Sequence, residues 1–337
     1  MQTIFEIDAN RRTPKYLQIV HSVTKAIKQG RFKKGDRILS INELSNEFLL
    51  SRDTVQKAYD ILEKDRVIEA VKGKGFYINR TDVLNHYKVL LIFNKLSSYK
   101  KMIYESFVKT LGNKGTVDLK IHHSNIKVFE DIVEQGLGEY DYYAIMPHFY
   151  NDIDKAVDII KQIPLDQLIV MDKDLGCPLP YAAVYQDFEN DITEAMETQL
   201  ASFQKYDELI MVHPKISYPL EIIDGFRKFC FQNSFKHKVL ESVSENEKPE
   251  AKQVFVVIEE IDLANIIKCC RYQNMKIGKD IGIVSYNDTP LKEILLDGIS
   301  VISTDHSKMG ETAANFILEQ KIEKLRNPFR FIPRNSL

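Results

Sequence analysis

The chain is poor in the features that announce chemistry. Its 337 residues hold four cysteines, Cys177, Cys230, Cys269 and Cys270. None has the spacing of a metal site or redox pair, so reduced thiols are expected, with adjacent Cys269 and Cys270 packed in a helical core. There is no Walker-type glycine loop, no GxGxxG and no HExxH, which removes common nucleotide and metalloprotease signatures. His122-His123 has no second ligand pair nearby and reads as a solvated strand end. No metal and no cofactor is expected. No apolar run approaches the roughly 18 to 20 residues of a membrane helix, and the opening MQTIFEIDANRR lacks an apolar signal core. A cytoplasmic protein with no membrane partner is expected.

What is present supports a globular chain of two or three domains. Hydrophobic residues make up 44%, enough for a sizeable core. The net charge of −2 conceals an asymmetry: residues 1–80 carry 16 Lys and Arg against 10 Asp and Glu, or +6, and the remainder carries −8. A small basic segment on a larger acidic one suggests a nucleic-acid module joined to another kind of domain.

Within the first eighty residues, Tyr16, Ile19, Val20, Val23 and Ile27 fall on one helical stripe, and Gly30 is placed to end that helix. Ser40 and Glu43 have capping-box spacing before a short helix with Ile41, Leu44 and Phe48 on its stripe. A third helix is expected over Arg52–Lys64, its buried face formed by Val55, Ala58, Tyr59 and Leu62. VIEAV and GFYIN then read as two strands joined by KGKG. This is a helix-turn-helix followed by a wing, an arrangement that puts the N-terminal turn of the third helix, SRDT, into the major groove. The plainer reading of that turn is an N-cap with solvated charges.

The run from Pro14 to Ile78 resembles the winged-helix domain of the GntR regulator family over about residues 10–79. The match runs through Tyr16, Gly30, Gly35-Asp36, Glu43-Leu44, Ser51-Arg52, Thr54-Val55, Ala58, Leu62, Gly73 and Gly75. The resemblance implies that Arg52, Thr54 and the wing tip meet DNA. The candidate DNA contacts are Ser40, Asn42, Ser51, Arg52, Asp53, Thr54, Gln56, Lys72, Gly73 and Lys74. Arg52 has the chemistry to read guanine, and Asn42 or Gln56 to read adenine. The alternatives are an Arg52 salt bridge to Asp53 or Asp60 and a solvated hairpin tip. Leu39 replaces the usual proline. Asn42 and Gln56 stand where some members have arginine, so those members' operator does not transfer.

RTDVLNHY, residues 80–87, reads as a linker. Beyond it, buried strands such as KVLLIFN, YYAIMPHF, LIVMDKDL, VFVVIEE and IGIVSYND alternate with helical stretches. These include 100–111, 127–137, 152–162, 189–203, 220–233 and 263–273. Such alternation makes parallel sheets covered by helices, with ligands beyond the C-terminal strand ends. VYQDFENDITEAMETQL, IIDGFRKF and the run from Asn274 to Leu318 resemble the LacI-family effector domain, a two-lobed periplasmic-binding-protein fold. FIPRNS resembles that fold's last strand, and Asp187 is expected to cap the helix beginning near Glu189. Carried over by position, the effector-binding candidates are Asp172, Glu259 and Asn287, with His148 and Lys173 as substitutes for an arginine that is absent at Ile222. Asp288 is included, with bracing of the loop as its other reading. Asp172 and Asn287 either touch ligand or cap helices.

The expected architecture is α/β. An α+β winged helix-turn-helix fills 1–79, a linker 80–87, and a two-lobed domain with parallel sheets 88–337. The expected function is a bacterial DNA-binding transcription regulator of the repressor type, acting on carbohydrate genes and not an enzyme. Its partners would be a double-stranded operator, a sugar or sugar-phosphate effector and a second copy of itself in a homodimer. The alternatives are a ligand-binding module that does not bind DNA, or an enzyme on the two-lobed fold.

Overall fold

The computed structural model describes residues 4–5, 7–8, 14–81, 87–149, 151–214 and 218–337. Linker positions 82–86 and most of MQTIFEIDANRR lie outside the described residues.

The N-terminal region contains α1 (Lys15–Lys28), α2 (Ile41–Glu47), α3 (Arg52–Lys64), β1 (Ile68–Val71) and β2 (Gly75–Ile78). Ser40 and Glu43 close the expected capping box on α2, and Ser51 caps α3 by accepting from the Thr54 amide. Ile19, Val23, Leu44, Val55, Ala58, Tyr59, Leu62 and Ile78 are buried in one core. Each large aliphatic side chain among them contributes about 1.5–3 kcal/mol on burial. β1 and β2 pair antiparallel, with Ile68 opposite Ile78 and Val71 opposite Gly75. Gly73 takes φ +75° at the tip, a conformation that glycine adopts without a Cβ penalty. The turn between α2 and α3 is less comfortable. Leu49 has φ +51° and its side chain is 90% exposed.

The rest of the chain runs β3 (Tyr87–Phe93), α4 (Ser98–Leu111), β4 (Gly115–Ile121), α5 (Ile126–Gly136), β5 (Tyr142–Ile145), α6 (Ile153–Ile160), β6 (Leu168–Asp172) and β7 (Ala182–Tyr185). There follow α7 (Phe188–Glu197), α8 (Leu200–Phe203), β8 (Glu208–Val212), α9 (Glu221–Gln232), β9 (Lys236–Leu240), β10 (Gln253–Val257), α10 (Glu260–Tyr272) and β11 (Gly282–Tyr286). It closes with α11 (Pro290–Ile294), β12 (Ser300–Thr304), α12 (His306–Glu319), β13 (Lys324–Arg326) and β14 (Phe329–Ile332). The strands form two six-stranded sheets, β13-β7-β6-β5-β3-β4 and β14-β12-β11-β10-β8-β9. Each sheet is the centre of one lobe. β14 runs antiparallel to β12 at the edge of its otherwise parallel sheet.

The chain passes between the sheets three times, after β7, after β12 and between β13 and β14. The passages are bonded to one another. The Asn327 amide donates to Tyr185 O at 2.7 Å, its side chain to Thr304 Oγ1 at 2.7 Å and Asp305 O at 2.9 Å, and Asp305 N donates to Pro328 O at 2.8 Å. Arg326 adds a bond to Asp191 at 2.7 Å and a two-pronged pair with Glu194 at 2.8 and 3.2 Å, tying β13 to α7. α12 returns against α4. A Cβ on Gly310 would lie 2.2 Å from the Ile103 carbonyl oxygen.

Four local expectations need correction. The helix expected over 189–203 is two, α7 and α8, broken where the Thr198 hydroxyl donates to Ala195 O at 2.7 Å. The helix expected from Leu263 begins at Glu260, because Glu259 takes the extended N-cap conformation. The last strand ends at Ile332 and not at Ser336. The Ser336 hydroxyl instead donates to Ile283 O and accepts from Ser300 N at 2.8 Å. His122 is buried rather than solvated, with its ring stacked on Phe149 at 4.6 Å, and burial pushes its pKa down to about 4. Cys269 and Cys270 are buried in α10 as expected. Among the described residues no helix is long and apolar enough to cross a membrane.

Candidate nucleic-acid and ligand sites

Ser51, Arg52, Asp53 and Gln56 are exposed on the N-terminal turns of α3, and Thr54 is half-buried. The Ser51 and Thr54 hydroxyls share a 2.7 Å hydrogen bond, so both also brace the turn. The Gln56 amide donates to Asp60 at 2.7 Å, occupying a carboxylate weighed as a partner for Arg52. Asn42 is exposed in the first turn of α2, whereas Ser40 is half-buried and engaged as its cap. Lys72, Gly73 and Lys74 are exposed at the wing tip.

The two-lobed part has a cleft beyond the C-terminal strand ends. A cavity there is lined by residues from both lobes, including Asn94, Lys100, His148, Asp172, Gln186 and Asn287. Asp172 ends β6 with φ +73° and Asn287 follows β11 with φ +62°. Left-handed backbone in two non-glycine residues marks both strand ends as positions where local strain is tolerated. The Asp172 carboxylate is fully used: Oδ1 accepts from Gln186 Nε2, and Oδ2 lies 2.8 Å from His148 Nε2 and 4.0 Å from Lys100 Nζ. Burial opposes its ionisation, but His148, Lys100 and the Gln186 amide outweigh burial and hold the carboxyl below the usual carboxylate range. Burial lowers Lys100 to about 8 against the pull of Asp172. Lys100 also donates to Asn94 Oδ1.

Lys173 reaches across the lobes to Glu221 at 3.1 Å. Burial raises the Tyr218 phenol well above its ordinary pKa, and the neighbouring Tyr99 of the opposite lobe and Glu259 push it the same way. Glu259 lines a second cavity that shares Tyr99, Tyr218, Tyr286 and Asn287 with the first. The Asp288 carboxylate is gripped by both terminal nitrogens of Arg334, at 2.9 and 2.8 Å. Asp187 caps α7 through Asn190 N at 3.4 Å. Ile222 is fully buried in the second lobe's core beside Phe226 and Phe229, so an arginine at that position would have to displace core packing. The structure therefore brings His148, Asp172 and Asn287 to one cavity, with Glu259 on its extension, and places Lys173 in a cross-lobe ion pair.

Sequence reasoning missed Asn94, Lys100, Gln186 and the three tyrosines. Asn94 and Gln186 carried a signal, since each directly follows a buried strand as Asn287 does. Lys100 carried none, for it sits in a helix where a lysine is ordinarily solvated.

Comparison with known proteins gives two family matches. Residues 15–78 match the bacterial regulatory proteins, gntR family, and residues 209–336 match the periplasmic binding protein-like domain. Among curated relatives, the transcriptional repressor YtrA of Bacillus subtilis is 29% identical over 133 residues, covering 40% of this chain and 97% of YtrA. The transcriptional regulator TreR of Bacillus subtilis is 24% identical over 213 residues, covering 62% of this chain and 80% of TreR. Among solved structures, the trehalose repressor from Escherichia coli has a TM-score of 0.61 at 12% identity, covering 74% of this chain and all of that one, a likeness of fold.

Proposed function

We propose, from a chain that carries a gntR-family helix-turn-helix domain at its N-terminus and a periplasmic-binding-protein-like domain at its C-terminus, that it is a sequence-specific transcription regulator whose DNA binding is governed by a small ligand held between two lobes. The observation that carries this reading is the first turn of α3. It is capped by Ser51 and presents Arg52 outward with no ion pair among the described residues. Arg52, Asn42 and Gln56 are the proposed base readers, Ser40, Ser51, Asp53 and Thr54 the groups that hold the turn against DNA, and Lys72, Gly73 and Lys74 the wing contact to phosphates or minor groove. Residues 1–79 serve as the DNA head, 80–87 as the linker and 88–337 as the effector and dimerisation domain.

The names of other curated relatives support a repressor of carbohydrate genes: an arabinose metabolism transcriptional repressor and a mannosyl-D-glycerate transport and metabolism system repressor are among them. The cleft supports it independently, because amides, hydroxyls and carboxylates at strand ends suit a hydroxylated ligand. A homodimer would present two heads to a two-fold operator. The ligand can shift DNA affinity only by as much as its own affinity differs between the two states of the protein.

The test is selection from a random duplex library by the full chain, followed by fluorescence anisotropy across a salt series. A regulator enriches a two-fold symmetric sequence whose binding falls steeply with salt as counterions are released. Failure to enrich any sequence, or binding indifferent to salt, would remove the DNA-binding reading.

A further inference from the structure

We propose that the cleft takes an uncharged, hydroxyl-rich ligand, an unphosphorylated monosaccharide, in preference to its phosphate ester or a sugar acid. This rests on the reading of the cleft as an effector site and narrows it by charge.

Three of the four lysines around the cleft are held by protein groups, and the fourth, Lys95, lies over an aromatic ring. Lys100 faces Asp172 at 4.0 Å and bonds Asn94. Lys173 is paired with Glu221 at 3.1 Å. Lys292, 3% exposed, donates to the carbonyls of Tyr286 at 2.9 Å and Asn287 at 2.7 Å. Lys95 stands over the Tyr218 ring, 4.9 Å from its centroid. No arginine is among the described residues lining either cavity, although arginine is the side chain best suited to grip a phosphate or carboxylate with two bonds. The nearby Arg334 is held by Asp288.

Helix N-termini attract anions, and several face this region, but three carry their own carboxylates. α7 begins with Asp187 and Glu189, α10 with Glu259, Glu260 and Asp262, and α12 with Asp305. Of these carboxylates, Glu259 and Glu260 line the second cavity, where they would repel a bound anion.

The unpaired atoms favour a neutral ligand as well. Gln186 Oε1, Tyr286 Oη and Thr289 Oγ1 are buried with no hydrogen-bond partner among the described residues. Gln186 and Tyr286 line the first cavity, and Tyr286 and Thr289 the second. The Gln186 oxygen only accepts, so it needs a donor. A sugar hydroxyl can donate to it and exchange hydrogen bonds in either direction with the two protein hydroxyls. A phosphate dianion or a carboxylate placed against that oxygen has no donor to offer, so a charged derivative must turn one of its remaining hydroxyls to it. Tyr99, Phe188 and Tyr218 add aromatic surface for the C–H face of a sugar ring, in keeping with sites that combine apolar walls with a few fixed polar groups.

The experiment is isothermal titration of the full chain with neutral aldohexoses and aldopentoses, each beside its terminal phosphate ester and its uronic acid. At least one neutral sugar should bind at least about tenfold more tightly than both charged derivatives, with an affinity that changes less than about twofold between low and high salt. Thr289→Val should weaken that sugar about tenfold without lowering the unfolding temperature of the ligand-free protein, because it removes a buried hydroxyl that lacks a partner. Tighter binding of a phosphate ester or uronic acid, no binding by any neutral sugar, or unchanged affinity in Thr289→Val would overturn the assignment. Duplex selection on the same preparation separates the two readings. An enriched operator with a cleft that prefers anions sinks the neutral-ligand assignment alone, and failure to enrich any duplex sinks the regulator reading whatever the titration gives.

Discussion

His148 Nε2 lies 2.8 Å from Asp172 Oδ2, and the same carboxylate oxygen faces the buried ammonium of Lys100 at 4.0 Å. Asp172 therefore neutralises the interior of the first lobe as well as bordering the cleft. Asp172→Asn should cost about 3 kcal/mol in urea unfolding, because it leaves Lys100 buried beside a neutral amide. Adding Lys100→Met should recover most of that loss. A single variant as stable as the parent would show that Lys100 finds its compensation elsewhere.

Stability should rise with pH between about 4.5 and 6.5. Burial lowers His122 and His306 to about 4 from an ordinary 6.5, and lowers His148 and His213 as well. Such a histidine takes up its proton more readily unfolded than folded, so its contribution is complete above pH 6.5 and is lost as pH falls towards 4. Asp191 works in the opposite direction. Burial raises it to about 6, so its contribution is present at low pH and lost as pH rises through 6. Four histidines against one carboxyl set the net sign. Melting temperatures across this range test it, and His122→Leu should flatten the slope.

Leu49→Gly should stabilise the DNA head by about 1 kcal/mol. The φ of +51° imposes a penalty on leucine that glycine escapes, and the 90% exposed side chain has little burial to lose. Thermal unfolding of the full chain measures it, and a lower melting temperature would mean that Leu49 makes a contact of real value.

Gly310→Ala should destabilise by about 1–3 kcal/mol, since the new methyl would press on the Ile103 carbonyl and force α12 away from α4. Chemical denaturation reads the loss, and a neutral result would show that the two helices can separate freely.

Arg52→Ala should cost about 1–3 kcal/mol of specific DNA affinity and relax preference at one base position, whereas Lys74→Ala should weaken all duplexes alike and lower the salt slope by about one. Anisotropy on selected and scrambled duplexes distinguishes these. Identical behaviour of the two variants would argue against separate roles for α3 and the wing.

Much of the fold was legible because it rests on short-range rules. The Ser40–Glu43 box, the Val55-Ala58-Tyr59-Leu62 stripe and the buried strands β6, β8, β10 and β11 each follow from local pattern. The errors came where a tertiary contact overrode pattern. His122 was hidden by Phe129 and Phe149, and Ser336 left strand geometry to bond Ile283. The candidate cleft was half legible. Asp172 and Asn287 were visible as polar residues ending apolar strands, but Lys100 and Tyr218 reach the cavity from a helix and a loop through side-chain geometry that no spacing encodes.

The three passages at Gln186-Asp187, Thr304-Asp305 and Asn327-Pro328 mean that neither lobe is a continuous piece of polypeptide. The first lobe's sheet is completed by β13, made after the second lobe's sheet is nearly finished, and the second lobe's sheet is completed last of all by β14. During synthesis the first lobe must wait for the second, with the strand edge that β13 will cover still open. A chain released before Lys324 would therefore leave both lobes unfinished rather than yielding one intact half, and no exchange of a single contiguous segment could transplant one lobe into another protein.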